Sequence, residues 1–257
     1  MLENLMYDAL EVSIVEDNDS LGAAVAEAFA VAAREALASQ DEIAVILATG
    51  NSQLSFARAV RERTDIDWTR ITVLHMDEYL GMSEDHSASF RRWMNENLAS
   101  RLPLKAFEGV RGDHEPAEEE LERYAALIRE LKPSITVMGI GENGHLAFND
   151  PPALFETDEL IAIVKMDEVS RQQQLGEGHF PSLEETPQSA LSLTIPALLM
   201  SGTVLVGVPE ARKAPAVRAA LEGPVTPDCP ASILRRQPHA RVFLDRDSAA
   251  LLKRDNG

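Results

Sequence analysis

The chain is poor in the features that mark secreted, membrane-bound or nucleic-acid-binding proteins. Its 257 residues include one cysteine, Cys229, so no disulfide can form within the chain, which fits a reducing compartment. No apolar run approaches the ~18 residues that cross a bilayer. No charged, then apolar, then small-residue leader opens the sequence. The expected location is the cytoplasm. Positive charge is scarce, with 24 Lys and Arg against 42 Asp and Glu, a formal net charge of −18. Such a surface repels nucleic acid and anionic membrane, so neither is an expected partner. It also repels phosphorylated ligands, unless a pocket gathers backbone N–H groups and a few cations. The plain reading of the acidity is solubility. HExxH and paired-cysteine spacings are absent, as is the Gly-Lys-Ser/Thr ending of a Walker loop.

What is present is a core. Hydrophobic residues make up 45% of the chain, enough for one large domain or two small ones without structural metal. There are no repeats, low-complexity tracts or evident linkers, so a single domain over 1–257 is expected. Ile43–Leu47, Ile71–Leu74, Ile135–Met138, Ile161–Val164, Ala190–Thr194, Val204–Val208 and Val242–Leu244 read as strands, after a first strand near residue 12. Helical patterns lie between them. Ser20 is a candidate cap for a helix carrying Leu21, Val25 and Phe29. Another helix starts near Gln53, one carries Phe90, Trp93, Met94 and Leu98, one follows Pro116, and one starts near Glu210. Alternating strands and helices predict an α/β fold, a mostly parallel twisted sheet with helices on both faces. The polar stretch 151–187 reads as irregular, either a lid over a site or an ordinary surface excursion.

Three polar clusters each follow a predicted strand: Thr49–Gln53, His75–Tyr79 and Gly141–Asp150. In an open parallel sheet, ligands bind beyond the carboxyl ends of the strands, so the three should converge on one crevice. In the first cluster, Gly50 lets the backbone approach an anion at a helix start, with Thr49, Asn51 and Ser52 beside it. The alternative is an ordinary turn capped by Asn51 or Ser52. In the second, a carboxylate of Asp77 or Glu78 desolvated by a lid would titrate high enough to serve as a general base. A salt-bridged structural acid is the alternative. A metal site of His75 and Asp77 with His145 or His86 is the weaker reading. In the third, Gly139, Gly141 and Gly144 bracket a tight loop from which His145 emerges, with Asn149 and Asp150 downstream.

At these residues the chain resembles the glucosamine-6-phosphate deaminase/isomerase family, in the wider group that includes 6-phosphogluconolactonase. The resemblance rests on Ala48–Ser52, Met76-Asp-Glu-Tyr-Leu-Gly81, the run Gly139–Pro151 and, more weakly, Gly207–Ala214. It implies that Asp77 moves the proton between C2 and C1 of the open-chain sugar, and that His145 assists ring opening. Asp150 then stands where the family has a glutamate working with that histidine. Gly50, Asn51, Ser52 and Lys213 match phosphate-binding positions, and Thr49, Glu78 and Gly144, within the matching segments, are expected at the substrate or its phosphate as well. The implied partner is a small-molecule sugar phosphate, with no cofactor and no metal, and formation of a homo-oligomer is left open.

The chain also departs from the family's pattern. Asn143 stands where the family has an aspartate, so it can accept a hydrogen bond but cannot stabilise an imidazolium by charge. Asp150 is one methylene shorter than the glutamate. The family's phosphate arginine aligns with Gln174, with Arg171 one helical turn earlier as a candidate substitute. These departures imply a divergent member, with another amino-sugar or sugar phosphate as an alternative substrate. A lactonase-like hydrolase and a non-catalytic sugar-phosphate-binding protein are the rival readings. A transcription-regulating sensor would need a DNA-binding segment for which there is no room before the first strand.

Overall fold

In the computed structural model, which describes residues 2–253, the apolar runs become strands. These are β1 (Glu3–Tyr7), β2 (Leu10–Ile14), β3 (Ile43–Leu47), β4 (Ile71–His75), β5 (Asp77–Tyr79) and β6 (Ala106–Glu108). They continue with β7 (Ile135–Met138), β8 (Ile161–Lys165), β9 (Ser189–Leu193), β10 (Thr203–Val208) and β11 (Ala240–Leu244). The helices are α1 (Asn18–Ser39), α2 (Leu54–Arg61), α3 (Phe90–Met94), α4 (Ala117–Leu131), α5 (Glu168–Gly176), α6 (Ile195–Leu199) and α7 (Ala214–Glu222). The main sheet has the order β1-β2-β11-β10-β7-β3-β4-β6 and is parallel except at β1.

Continuous apolar strands arise because both faces are covered. Along β3, Ala44 and Ile46 face one core while Ile43, Val45 and Leu47 face the other. The same alternation runs through β10, where Val204, Val206 and Val208 oppose Leu205. One core lies against α1 and α2, and the other against α4, α6 and α7. The expected parallel α/β architecture with helices on both faces is what the chain forms.

The topology also locates the crevice. From β3 the chain moves outward to β4 and β6, then returns so that β7 pairs with the other side of β3, and continues through β10 and β11. Connections leaving β3 and β7 therefore diverge, which opens a gap beyond their carboxyl ends. A second, antiparallel sheet, β5-β9-β8, lies beside that gap. Chain leaving β4 passes into it at once, so Asp77 is fixed opposite Ser192 in a ladder.

Several local expectations are corrected. The cap of α1 is Asp17, whose carboxylate accepts from the Ser20 amide, because the helix already begins at Asn18. β1, β5, β6 and α6 were too short or too exposed for periodicity to reveal. The stretch 151–187 is not irregular: it contains β8, which pairs with β9, and α5.

Candidate active site

Thr49, Gly50, Ser52, Asp77, His145 and Lys213 line one cleft at the switch point, with about 560 Å³ of empty space. They come from four strand ends, those of β3, β4, β7 and β10. The loop after β3 carries the first three residues, with Gly50 at a φ of 93° before the 3-10 turn Asn51–Gln53 and α2. No side chain caps this helical start, so neither Asn51 nor Ser52 plays the capping role. The first amides of the turn are left to meet an anion.

Asp77 is 6% exposed, and its carboxyl oxygens have no hydrogen-bond partner among the described residues. Burial, and then the neighbouring Glu78 charge, push its pKa up to about 8. Glu78 points elsewhere. It is fully buried and accepts from the Tyr79, Phe90 and Arg91 amides and from Ser89 Oγ. It ties β5 to the start of α3, so its expected place at the substrate is corrected to an internal anchor. Burial raises its pKa despite those four donors.

His145 is held by a closed loop in which the Gly141 amide donates to the His145 carbonyl and the Gly144 amide to the Gly141 carbonyl. A side chain at Gly141 would strike the imidazole, since a Cβ there would lie 2.2 Å from the ring. Gly144, at a φ of 85°, closes this turn and does not line the cleft. Behind the ring, Nδ1 lies 2.8 Å from Ser170 Oγ and 3.1 Å from Asp150 Oδ1. Ser170 Oγ donates to that same Asp150 oxygen. Burial pushes Asp150 up, but His145, Asn143 and Ser170 outweigh it and hold its pKa below the usual value. Asn143 does not receive the imidazole proton. Its amide donates to Asp150 Oδ1 at 2.9 Å and to Asp167 Oδ2 at 2.8 Å, and its oxygen accepts from the His145 amide.

At the far end, Lys213 is 3% exposed and donates to Gln173 Oε1 at 3.1 Å. Burial lowers its pKa to about 8 against the pull of Glu177. Glu177 lines the same cleft, and its Oε2 faces Gly50. Burial alone would raise Glu177, yet His179, Arg212 and Lys213 bring it down to about 2. Asn51 reaches across from the loop to the Glu177 carbonyl, 3.3 Å away, rather than into the cleft.

Arg171 does not substitute for a phosphate arginine in this structure. Its guanidinium donates to the Leu183 and Thr186 carbonyls and stands outside the cleft. Gln174 does line the cleft, with its oxygen accepting from Tyr79 Oη at 2.6 Å. His75 is fully buried, and its Nε2 accepts from the Val110 amide, so it does not turn toward Asp77 as a ligand. Among the described residues, no three His, Cys, Asp or Glu side chains come together to hold a metal ion. Sequence reasoning missed Ser170, Gln173 and Glu177. The available signal was their i, i+3, i+7 spacing on one polar helix face.

The family model described as glucosamine-6-phosphate isomerases/6-phosphogluconolactonase matches residues 16–244. A glucosamine-6-phosphate deaminase from Exiguobacterium sibiricum is 37% identical over 206 residues, 80% of each chain. One from Oenococcus oeni is 32% identical over 81% of this chain and 86% of its own. Among solved structures, a monomeric glucosamine-6-phosphate deaminase superposes with a TM-score of 0.86 at 29% identity, covering 94% of this chain and 99% of its own. A 6-phosphogluconolactonase from Thermotoga maritima shares the fold at a TM-score of 0.74 and 23% identity, over 91% of this chain and 98% of its own.

Proposed function

The chain belongs to the glucosamine-6-phosphate isomerase/6-phosphogluconolactonase family, and we propose that within it the chain is a deaminating aldose–ketose isomerase. The substrate is glucosamine 6-phosphate, and with one water the products are fructose 6-phosphate and ammonia. The observation that carries this reading is the pairing in one cleft of a buried, partner-free carboxyl, Asp77, with His145, while Lys213 and the uncapped turn at Gly50 lie at the anion-binding end. The whole chain acts as one domain, with α5 covering the cleft.

His145 moves the proton between O1 and O5 that opens the pyranose ring. Asp77 then removes the C2 proton and returns it to C1. The C2 nitrogen gives up a proton as O1 gains one, so that C1 becomes CH2OH and C2 an iminium; water then adds to C2 and ammonia leaves. Each positioned acid–base group of this kind is worth roughly 10²–10⁴ in rate. With its pKa at about 8, Asp77 still holds its proton at neutral pH in the free protein. The substrate's ammonium at C2 favours the carboxylate by opposite charge, so the base is generated where it is used. At the other end the phosphate meets one cation, Lys213, and backbone amides. Among the described residues, no arginine lines the cleft. Lactonase chemistry would need no carboxylate poised for a C–H proton, and the relatives from Exiguobacterium sibiricum and Oenococcus oeni, 37% and 32% identical, are named deaminases.

The test is ammonia release from glucosamine 6-phosphate, coupled to a dehydrogenase, for wild type and Asp77→Asn. Ammonia from wild type alone supports both the reaction and the base. No ammonia from a folded wild type, together with hydrolysis of a 6-phosphogluconolactone, would overturn the reading. The cytoplasm is the proposed setting, and cell fractionation that finds the activity in another compartment would overturn that part of the reading.

A further inference from the structure

The proposed mechanism uses His145 but leaves a buried hydroxyl behind it unexplained. Ser170 is fully buried, does not line the cleft, and stands within hydrogen-bond distance of both His145 Nδ1 and Asp150 Oδ1. Although Nδ1 lies 3.1 Å from Asp150, its hydrogen bond runs to Ser170, at 2.8 Å. We propose that Ser170 is a positioning residue that fixes His145 as the Nδ1–H tautomer, leaving the Nε2 lone pair to face the cleft.

The reasoning is a count of protons. A serine hydroxyl has one hydrogen to give, and its oxygen can accept. Ionised Asp150 only accepts, so the Ser170 hydrogen goes to Asp150. The Ser170 oxygen is then open to Nδ1, which must carry a hydrogen to reach it. A neutral imidazole with hydrogen on Nδ1 has a bare Nε2. That nitrogen lies against Gly141, which lines the cleft, and has no protein partner among the described residues. The opposite tautomer would set the Nδ1 lone pair against the Ser170 oxygen while the Ser170 hydrogen is already committed.

The surroundings hold this arrangement in place. Asp150 Oδ1 also accepts from Asn143, and Asp150 Oδ2 accepts from the Asp167 amide at 2.8 Å. Asp167 caps α5 by accepting from the Ser170 amide at 2.7 Å. The start of the helix therefore grips Ser170 and Asp150 together. Three donors and the neighbouring histidine hold the carboxylate ionised, so it does not take a proton from the serine. When His145 gains a proton at Nε2 during ring opening, the same chain of bonds stabilises the imidazolium. Asn143, being neutral and aimed at the carboxylates, supplies no such link to the ring.

The kinetic part rests on the deaminase reading, but the tautomer does not. Histidine-labelled full-length protein is examined by nitrogen-15 NMR, with His145→Gln assigning the signal. The neutral ring of wild type is expected to carry hydrogen on Nδ1 and none on Nε2. Ser170→Ala leaves only Asp150, 3.1 Å from Nδ1, to hold that hydrogen, and is expected to weaken the preference and to lower kcat by ~10–100-fold, a part of one acid–base contribution. KM for glucosamine 6-phosphate stays within about twofold, because Ser170 does not touch the cleft. Ser170→Thr keeps the hydroxyl and restores the tautomer and most of kcat. A neutral wild-type ring with hydrogen on Nε2 and a bare Nδ1 overturns the proposal without any variant. An unchanged tautomer in folded Ser170→Ala overturns it too, even if kcat falls. Absence of ammonia from wild type would sink the deaminase reading, while the NMR result still decides the role of Ser170.

Discussion

Replacing Asp77 by Asn should abolish turnover and yet stabilise the protein, by an amount that grows with pH. The native carboxyl titrates at about 8, against an ordinary value of 3.8. Between those values the folded protein holds a proton that the unfolded chain has released. Unfolding then releases a proton, so stability falls as pH rises across this window, by ~1.4 kcal/mol per pH unit for one group. An amide has nothing to titrate, so the variant lacks that slope. Its stability advantage over wild type should therefore widen by about 2.7 kcal/mol between pH 5 and pH 7. Below about pH 4 the two proteins should differ only by a constant offset from replacing acid with amide. Urea unfolding of both proteins at pH 5, 6 and 7 gives the two curves. Every other titrating group, Glu78 included, is common to both and cancels to first order in the difference. Curves that stay parallel across the window would mean that Asp77 is already ionised in the folded protein, and that its burial does not supply the base.

The same groups predict a bell-shaped kcat/KM centred near pH 8, with acid protonating Asp77 and alkali discharging Lys213. Lys213→Arg, which keeps its charge, should flatten the alkaline limb alone, as a pH series of initial rates will record. Glu177→Gln removes a carboxylate that faces Gly50, so inorganic phosphate should inhibit several-fold more tightly at pH 6.5–7. Weaker inhibition would mean that Glu177 serves chiefly to orient Arg212 and Gln173. Arg171→Met leaves the Leu183 and Thr186 carbonyls without their donor and should cost about 1–3 kcal/mol in urea unfolding. Its KM should not move, and a large rise would return Arg171 to the phosphate.

Parts of this site were legible for a physical reason. Strands buried on both faces are continuous apolar runs, so a polar cluster directly after one stands out, as Asp77 does after Ile71–His75 and His145 after Ile135–Met138. Position at a strand end then places both at the switch point. The role of Glu78 was not legible, because adjacent residues of β5 point to opposite sides and only the ladder with β9 fixes which side faces the cleft. Helix α5 was hidden for the opposite reason. Its sequence, EVSRQQQLG, has almost no apolar stripe, because the face it turns inward meets the cleft and the Asp150–His145 pair rather than a core. Polar on both sides, it reads as surface. Arg171 illustrates the remaining difficulty: spacing puts it near Gln174, but only the path of residues 183–186 shows that two carbonyls take its guanidinium.

The division between sheet and α5 bears on how this fold acquires different chemistries. His145 and the Gly50 loop follow strands of the main sheet, and Asp77 is held in β5 directly after β4, in an architecture shared with structures at 23% identity and below. Those positions are therefore fixed by the packing of two cores and cannot move far without unfolding. Helix α5 is anchored differently, by its Asp167 cap, by Ser170 on Asp150, by Gln174 on Tyr79 and by Asn51 on the Glu177 carbonyl. Nearly all of these are polar contacts, each worth about 1 kcal/mol net. One face of this helix touches His145 through Ser170, Lys213 through Gln173 and the Gly50 loop through Glu177. Substitutions on it can retune the proton chemistry and the anion site together at little cost in stability. Asn143 and Asp150 fit that logic, since the shortened carboxylate is met by a hydroxyl from α5 rather than by a longer side chain of its own loop.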